Sequence, residues 1–233
     1  MEPREILMNY YQGLFQSYGI DERSLGWTKQ KQNIRFKELM KHVFLKRQTE
    51  LPQKPKTSLL DLGCGFGDLN LFLEKEGYRE VDYYGIDIMP DFIRIAKDIN
   101  KHIEDHFYCS ELSDFILSSK RTWDWIVESG IFGHQLYDTE DACYEYIRDV
   151  MAKSLSICNI GICFDFLSDK VDYRTSQHDF HAKPERILEL AYGFSRNVML
   201  DNSVMPFEFN ITIWKDDSFS DKTIFSDYVE SVR

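Results

Sequence analysis

The sequence has no apolar stretch approaching the length of a membrane span. Its first residues, Met1-Glu2-Pro3-Arg4-Glu5, carry mixed charge and lack the apolar core of a signal peptide. A cytoplasmic protein is the expectation, with no membrane partner. Cysteine is scarce: Cys64, Cys109, Cys143, Cys158 and Cys163 are the five present, and no two form a C-x-x-C pair. Neither a zinc site nor a disulfide framework follows from such spacing. Most of these thiols read as small buried apolar groups in a reducing compartment. The six histidines show no H-E-x-x-H spacing, so no metal site is expected. Blocks of lysine and arginine are missing too, and the formal net charge is −11. An acidic surface repels phosphate backbones, which makes nucleic acid a poor partner. Internal repeats and low-complexity segments are also lacking.

What remains is an ordinary globular composition, 43% hydrophobic over 233 residues, enough for one α/β domain with an N-terminal extension. A boundary lies in the polar, proline-containing segment from Thr49 to Thr57. Before it, Tyr11, Leu14, Phe15 and Tyr18 fall on one helix face, as do Phe36, Leu39, Met40, Val43 and Phe44. The division expected is a helical cap over 1–50, a main domain over 58–215 and a tail over 216–233. Within the main domain, strands are expected at 58–62, 81–88, 106–109, 123–128 and 161–167. Helices are expected at 68–75, around 92–103, around 143–151 and at 184–192, two of them opened by Pro90 and Pro184. Such alternation predicts a mostly parallel sheet with helices on both faces. Two late strands, 196–200 and 207–214, are too close together for a crossover helix and should be antiparallel.

The strongest local signal is Asp61-Leu62-Gly63-Cys64-Gly65-Phe66-Gly67, which follows a strand and opens a helix. Glycine lets the backbone turn sharply and approach a ligand. Alternate spacing differs from the G-x-G-x-x-G of dinucleotide sites, and no Gly-Lys-Ser/Thr follows, so a phosphate loop is excluded. An acidic residue is expected about 20 positions further on, and Asp87 stands twenty past Gly67, at the end of the second strand. A carboxylate there accepts hydrogen bonds from both hydroxyls of an unphosphorylated ribose. By itself, the glycine triplet also fits an ordinary tight turn.

At these residues the chain resembles the class I S-adenosylmethionine-dependent methyltransferases. Their first motif is similar to Asp61–Gly67, and their second-strand acid matches Asp87 in Tyr84-Gly85-Ile86-Asp87-Ile88. Their third-strand Gly-Asp motif is matched loosely by Ser110-Glu111-Leu112, with Ser for Gly and Glu for Asp. The fourth-strand motif is matched by Trp123–Phe132, including Glu128. The resemblance implies a Rossmann-like, doubly wound sheet of seven strands, mostly parallel with an antiparallel last strand, plus N-terminal helices. It implies S-adenosyl-L-methionine as cofactor and S-adenosyl-L-homocysteine as product. Asp61, Gly63, Gly65, Gly67, Asp87, Ile88, Ser110, Glu111 and Glu128 are then the expected cofactor residues.

The N-terminal region is similar to that of small-molecule methyltransferases whose helices fold over the cofactor. On that reading Arg35 pairs with the methionine carboxylate and Trp27 covers the site. The alternative is a helix salt bridge and a core tryptophan. A hydroxyl or ammonium acceptor must lose a proton, which calls for a base near neutrality, most often histidine. His134 follows the fourth strand, and His178 and His181 follow the fifth, beyond strand C-terminal ends where open α/β sheets bind ligands. Each is a candidate base, the alternative being a surface or structurally bonded imidazole. His102 and His106 read as structural, and His42 as a helix-surface residue. Glu208, alternating with Phe207 and Phe209, reads as solvent-facing. The function expected is methyl transfer to an oxygen or nitrogen of a small-molecule acceptor. The competing readings are a cofactor-binding module without turnover and a protein or RNA methyltransferase.

Overall fold

Leu59 and Leu60 are neighbours in strand β1 (Thr57–Leu62), point to opposite faces of a sheet, and are both fully buried. The same holds for Trp125 and Ile126 in β4 (Trp123–Glu128). Period-two side chains buried on both sides mean a sheet covered twice. The computed structural model describes residues 3–27, 29–45, 56–173, 176 and 178–216. The expected linker lies outside these residues except for Lys56 and Thr57, and so does the expected tail except for Asp216.

The remaining strands are β2 (Val81–Asp87), β3 (Phe107–Cys109), β5 (Cys158–Leu167), β6 (Val198–Asp201) and β7 (Glu208–Trp214). They form one seven-stranded sheet in the order β3-β2-β1-β4-β5-β7-β6. Strands β3, β2, β1, β4 and β5 pair in parallel, and β7 runs antiparallel to both β5 and β6. This is the Rossmann-like arrangement expected, and the late pair is antiparallel as its short connection requires.

Helices α1 (Pro3–Tyr18), α2 (Lys29–Leu45), α3 (Asp68–Glu76) and α4 (Pro90–Ile99) precede β3, and α5 (Leu112–Ser118), α6 (Glu140–Ile157) and α7 (Pro184–Tyr192) follow it. One core layer joins Leu60, Ile126, Ile162 and Phe164 to Phe115, Ile147, Met151 and Ile187 of α5, α6 and α7. The opposite layer joins Leu59, Trp125, Val127 and Cys163 to α2, α3 and α4 through Leu39, Met40, Leu69, Phe72 and Ile93. Among the described residues no helix is long and apolar enough to cross a membrane. The five cysteines are all unpaired, and only Cys109 is exposed.

Several expectations change here. The N-terminal helices do different jobs. The apolar stripe of α2 is a full part of the sandwich, whereas α1 has no buried residue and lies over the strand ends through Met8, Tyr11 and Phe15. Tyr18 leaves the expected stripe: it is 44% exposed, with the Arg23 guanidinium over its ring. His42 is not on the surface but fully buried, because α2 lies against β7 and presses this flank of the helix onto Thr212. Glu208 is buried as well, at 6% exposure, because α2 covers the start of β7 and supplies cations to it. Helix α5 was not expected. It is only seven residues long, and its apolar spacing, Leu112, Phe115, Ile116, spans too few turns to show a period.

Glycine is required where β5 meets β7. A Cβ on Gly161 would lie 2.5 Å from the Ile213 carbonyl oxygen and 3.0 Å from the Trp125 ring. Gly161→Ala is therefore expected to destabilise the fold by about 1–3 kcal/mol, the scale of overpacking. Urea unfolding should show a lower midpoint at unchanged slope. Gly13→Ala in α1, where nothing stands within 4 Å, should be neutral or stabilising by about 0.5–1 kcal/mol.

Candidate active site

Strands β1, β2 and β4 end in register, with Leu62 opposite both Ile86 and Glu128. Beyond this common edge the chain leaving β1 folds back over β2. The N–H groups of Gly63 and Cys64 both donate to the Ile86 carbonyl, at 2.9 and 3.0 Å. Gly63 and Gly65 hold positive φ, 72° and 54°, which L side chains rarely adopt. A Cβ on Gly63 would also fall 2.4 Å from the Ile131 side chain, across the floor of the site. Gly67 is the residue that turns the loop into α3.

The loop and the second-strand acid meet directly. Asp87 Oδ2 accepts from the Gly65 N–H at 2.9 Å, and Oδ1 accepts from the Met89 N–H at 2.8 Å. Each oxygen thus accepts from the backbone. Burial pushes this carboxyl up to about 6, against the pull of those N–H groups. Asp61 accepts from the Tyr83 hydroxyl at 2.7 Å, yet burial pushes it up to about 7, with Asp87 adding to the rise.

These groups border a cavity of about 490 Å³. Of the expected cofactor residues, Asp61, Gly63, Gly65, Asp87, Ile88, Ser110, Glu111 and Trp27 line it. Its chemistry fits an adenosine with an uncharged ribose edge. A buried carboxylate lies on the wall, and a glycine loop leaves room for close approach. The wall also holds Leu25, Phe92, Gln32 and Tyr11, which the sequence did not single out for binding. Helix α1 closes one side. Arg4 Nε pairs with Glu111 at 3.1 Å, and the Tyr11 hydroxyl lies 2.9 Å from His134 Nε2.

Arg35, Gly67 and Glu128 do not line the cavity. Arg35 corrects the expectation of a contact to the methionine carboxylate. Its guanidinium is buried, donating to Asp165 Oδ1 at 3.0 Å and to Glu208 Oε2 at 2.5 Å. Asp165 also accepts from the Ser129 hydroxyl, and Lys31 also pairs with Glu208. The Arg35 charge is thus already met by buried carboxylates inside the protein. Trp27 joins this cluster to the cavity: one face of its ring carries the Arg35 guanidinium at 4.2 Å, and its edge abuts Gly130, where a Cβ would lie 2.5 Å from the ring. Glu128 is sealed beneath the floor. Its Oε1 accepts from the Ile131 N–H at 2.5 Å, Oε2 has no partner among the described residues, and burial pushes its carboxyl well up.

The three histidines separate. His134 is half-buried against the edges of Tyr10 and Tyr11, and burial pushes its pKa down, which favours the neutral ring. His178 is exposed. His181 is held by the Ser168 carbonyl, 2.7 Å from Nδ1. Neither borders the cavity, and His134 reaches it only through Tyr11. Tyr11 carries no binding signal in the sequence, because its place on an apolar stripe reads as core.

Residues 53–192 match a family described as methyltransferase domain. A Mycobacterium tuberculosis (strain H37Rv) protein named as a methyltransferase, Rv1506c, is 28% identical over 162 residues, spanning 68% of this chain and 93% of its own. Magnesium protoporphyrin IX methyltransferase, ChlM, from Synechocystis PCC 6803, solved with bound SAH, superposes with a TM-score of 0.60. It is 15% identical, covering 91% of this chain and 100% of that one. The plantazolicin methyltransferase BpumL, also with SAH, gives 0.58 at 14% identity, covering 91% and 98%.

Two outcomes are expected. Asp87→Ala should weaken S-adenosylhomocysteine binding by ~1.5–3 kcal/mol, the scale for hydrogen bonds to a charged group. Ribose donors favour the ionised carboxylate, so wild-type affinity should be full above about pH 6 and decline below it. Calorimetric titration across pH reads both, and the variant should lose that acid limb. Arg35→Met should lower stability by roughly 3–5 kcal/mol, because it strands two buried carboxylates. Adding Asp165→Asn and Glu208→Gln should restore part of the loss in chemical denaturation.

Proposed function

Given that the chain belongs to this methyltransferase family, and so to the class I S-adenosylmethionine-dependent enzymes, we propose that it methylates an oxygen or nitrogen of a small-molecule acceptor, with Tyr11 and His134 handling the acceptor's proton. The observation that carries this reading is the Tyr11 hydroxyl, on the cavity wall and 2.9 Å from His134 Nε2.

S-adenosylmethionine supplies an electrophilic methyl group on a sulfonium that leaves as a neutral thioether. What this chain adds is alignment, exclusion of water and removal of one proton. Asp87 and the glycine loop hold the adenosine side. Trp27, backed by Arg35 and seated on Gly130, fixes the wall beside Ser129. Leu25, Phe92 and α1 keep that space apolar and covered. An acceptor O–H or N–H at Tyr11 passes its proton to the phenolic oxygen while the Tyr11 hydrogen moves to His134 Nε2. Burial pushes the Tyr11 phenol up, so it does not ionise by itself and works only as a relay. The neutral imidazole behind it is the group able to take the proton.

Support for a small acceptor comes from the cavity's volume of about 490 Å³ and from the net charge of −11, which disfavours polyanions. ChlM, by its name, acts on magnesium protoporphyrin IX, a small molecule. Unpaired, mostly buried cysteines support a reducing, cytoplasmic setting.

A panel of small oxygen and nitrogen nucleophiles, with RNA and protein in separate arms, should be offered with methyl-labelled cofactor. Label is expected in a small nucleophile. For that acceptor, His134→Gln should cut kcat by about 10²–10⁴, the scale of general base catalysis, while S-adenosylhomocysteine affinity stays near the parent value. Tyr11→Phe should lower kcat in the same direction. Wild-type kcat should rise through a pKa below the usual histidine value of 6.5, and that limb should vanish in His134→Gln. Label only in RNA or protein, or an unaltered pH profile, would overturn the reading.

A further inference from the structure

Away from the cavity, α2 and the end of β6 bring Glu38, His42 and Asp201 together, one donor atom from each lying within 4.8 Å of the others. Glu38 and His42 are four residues apart on α2 and share a face. We propose that these three side chains form a binding site for a first-row divalent cation of the zinc type, and that the Lys41 ammonium is the counter-charge such an ion displaces.

The imidazole is aimed from behind. His42 is fully buried, and its Nδ1 lies 2.9 Å from Thr212 Oγ1, which turns Nε2 toward Asp201 Oδ2 at 3.0 Å. Asp201 is aimed too: Oδ1 accepts from the Ser203 N–H at 2.8 Å, leaving Oδ2 for the cluster. Such outer partners are what orient histidine and carboxylate ligands. A cation already stands at the focus. Lys41 Nζ is 3.2 Å from Glu38 Oε2 and 3.1 Å from Asp201 Oδ2, carried on a half-exposed, flexible stem.

Zinc–ligand bonds of about 2.0–2.2 Å place tetrahedral donors about 3.2–3.6 Å apart; the His42–Asp201 separation of 3.0 Å is near that value, and all three donors lie within 4.8 Å of one another. One imidazole and two carboxylates suit zinc, cobalt or manganese better than calcium. A void of about 10 Å³ borders Glu38 and Asp201, room for about one water as a further ligand. On binding, the ion takes the place of the ammonium and of any hydrogen on Nε2: an imidazolium releases that proton to solvent, and a neutral Nε2–H ring releases it while Nδ1 takes one up. The ring hydrogen is then on Nδ1 and is donated to Thr212, whose hydroxyl donates to Cys163 Sγ at 3.3 Å. An ion so held would clamp α2, which carries Gln32 and Phe36 to the cavity wall, onto the β6–β7 pair.

Untagged, chelator-treated protein is titrated with Zn²⁺ by calorimetry and thermal melting, and with Co²⁺ for visible absorption. One equivalent of Zn²⁺ should bind and raise Tm. Lys41→Met, at an exposed side chain, should tighten that affinity by roughly tenfold or more, because no ammonium competes. Asp201→Asn and Glu38→Gln should each weaken it by a similar factor, and Thr212→Val by about 10–100-fold. His42→Gln should abolish the Co²⁺ bands. If that buried variant does not fold, Lys41→Met and Asp201→Asn decide. Zinc binding equal in wild type, Lys41→Met and Asp201→Asn, or absent from wild type and Lys41→Met alike, would overturn the proposal and leave Lys41 as a plain ion-pair partner.

Discussion

A single guanidinium, sunk between Asp165 and Glu208, joins the N-terminal helix α2 to the far half of the sheet. Removing three charges from water is costly, and their mutual attraction offsets that cost only when the geometry is close and every donor is met. That condition holds for one placement of α2 across β5 and β7. The network therefore acts less as a source of stability than as a register mark. It places the helix, and with the helix come Trp27 on Gly130, Gln32 beside Asp68, and the Ser129–Asp165 contact at the end of β4. The cavity wall next to β4 and β5 is a consequence of where that charge settles.

The other wall has a different origin. There the parallel register of β1 and β2 brings a glycine loop and a carboxylate to the same level, and one hydrogen bond, Gly65 N–H to Asp87, ties them. An antiparallel β7 inserted between β5 and β6 then returns Glu208 to that end of the sheet, where Arg35 needs it. The topology and the charge network thus support each other.

Local features were legible in the sequence; distant ones were not. The glycine triplet, Asp87, the βα alternation and the late antiparallel pair are each written within a few dozen residues. The cavity contains Asp61, Gly63, Gly65, Asp87, Ile88, Ser110 and Glu111, as motif spacing leads one to expect. By contrast, Arg35 meets partners 130 and 173 positions away, Tyr11 meets His134 across 123, and His42 meets Thr212 across 170. No periodicity records such pairs. Hence Glu208 and His42 read as surface residues, although the helix packed over them makes both interior. Glu128 sits on the strand edge that the motif marks, but it points under the floor rather than into the cavity.

Helix α1 buries nothing of its own completely, yet Met8, Tyr11 and Phe15 rest on residues that border the cavity or pack directly behind it. Docking of this helix and occupancy of the cavity therefore draw on one interface. By linkage, whatever favours one state of the helix changes ligand affinity by the same factor that the ligand changes helix docking. The sixteen residues of α1 are therefore energetically coupled to the cavity's contents through the rings they share with its wall.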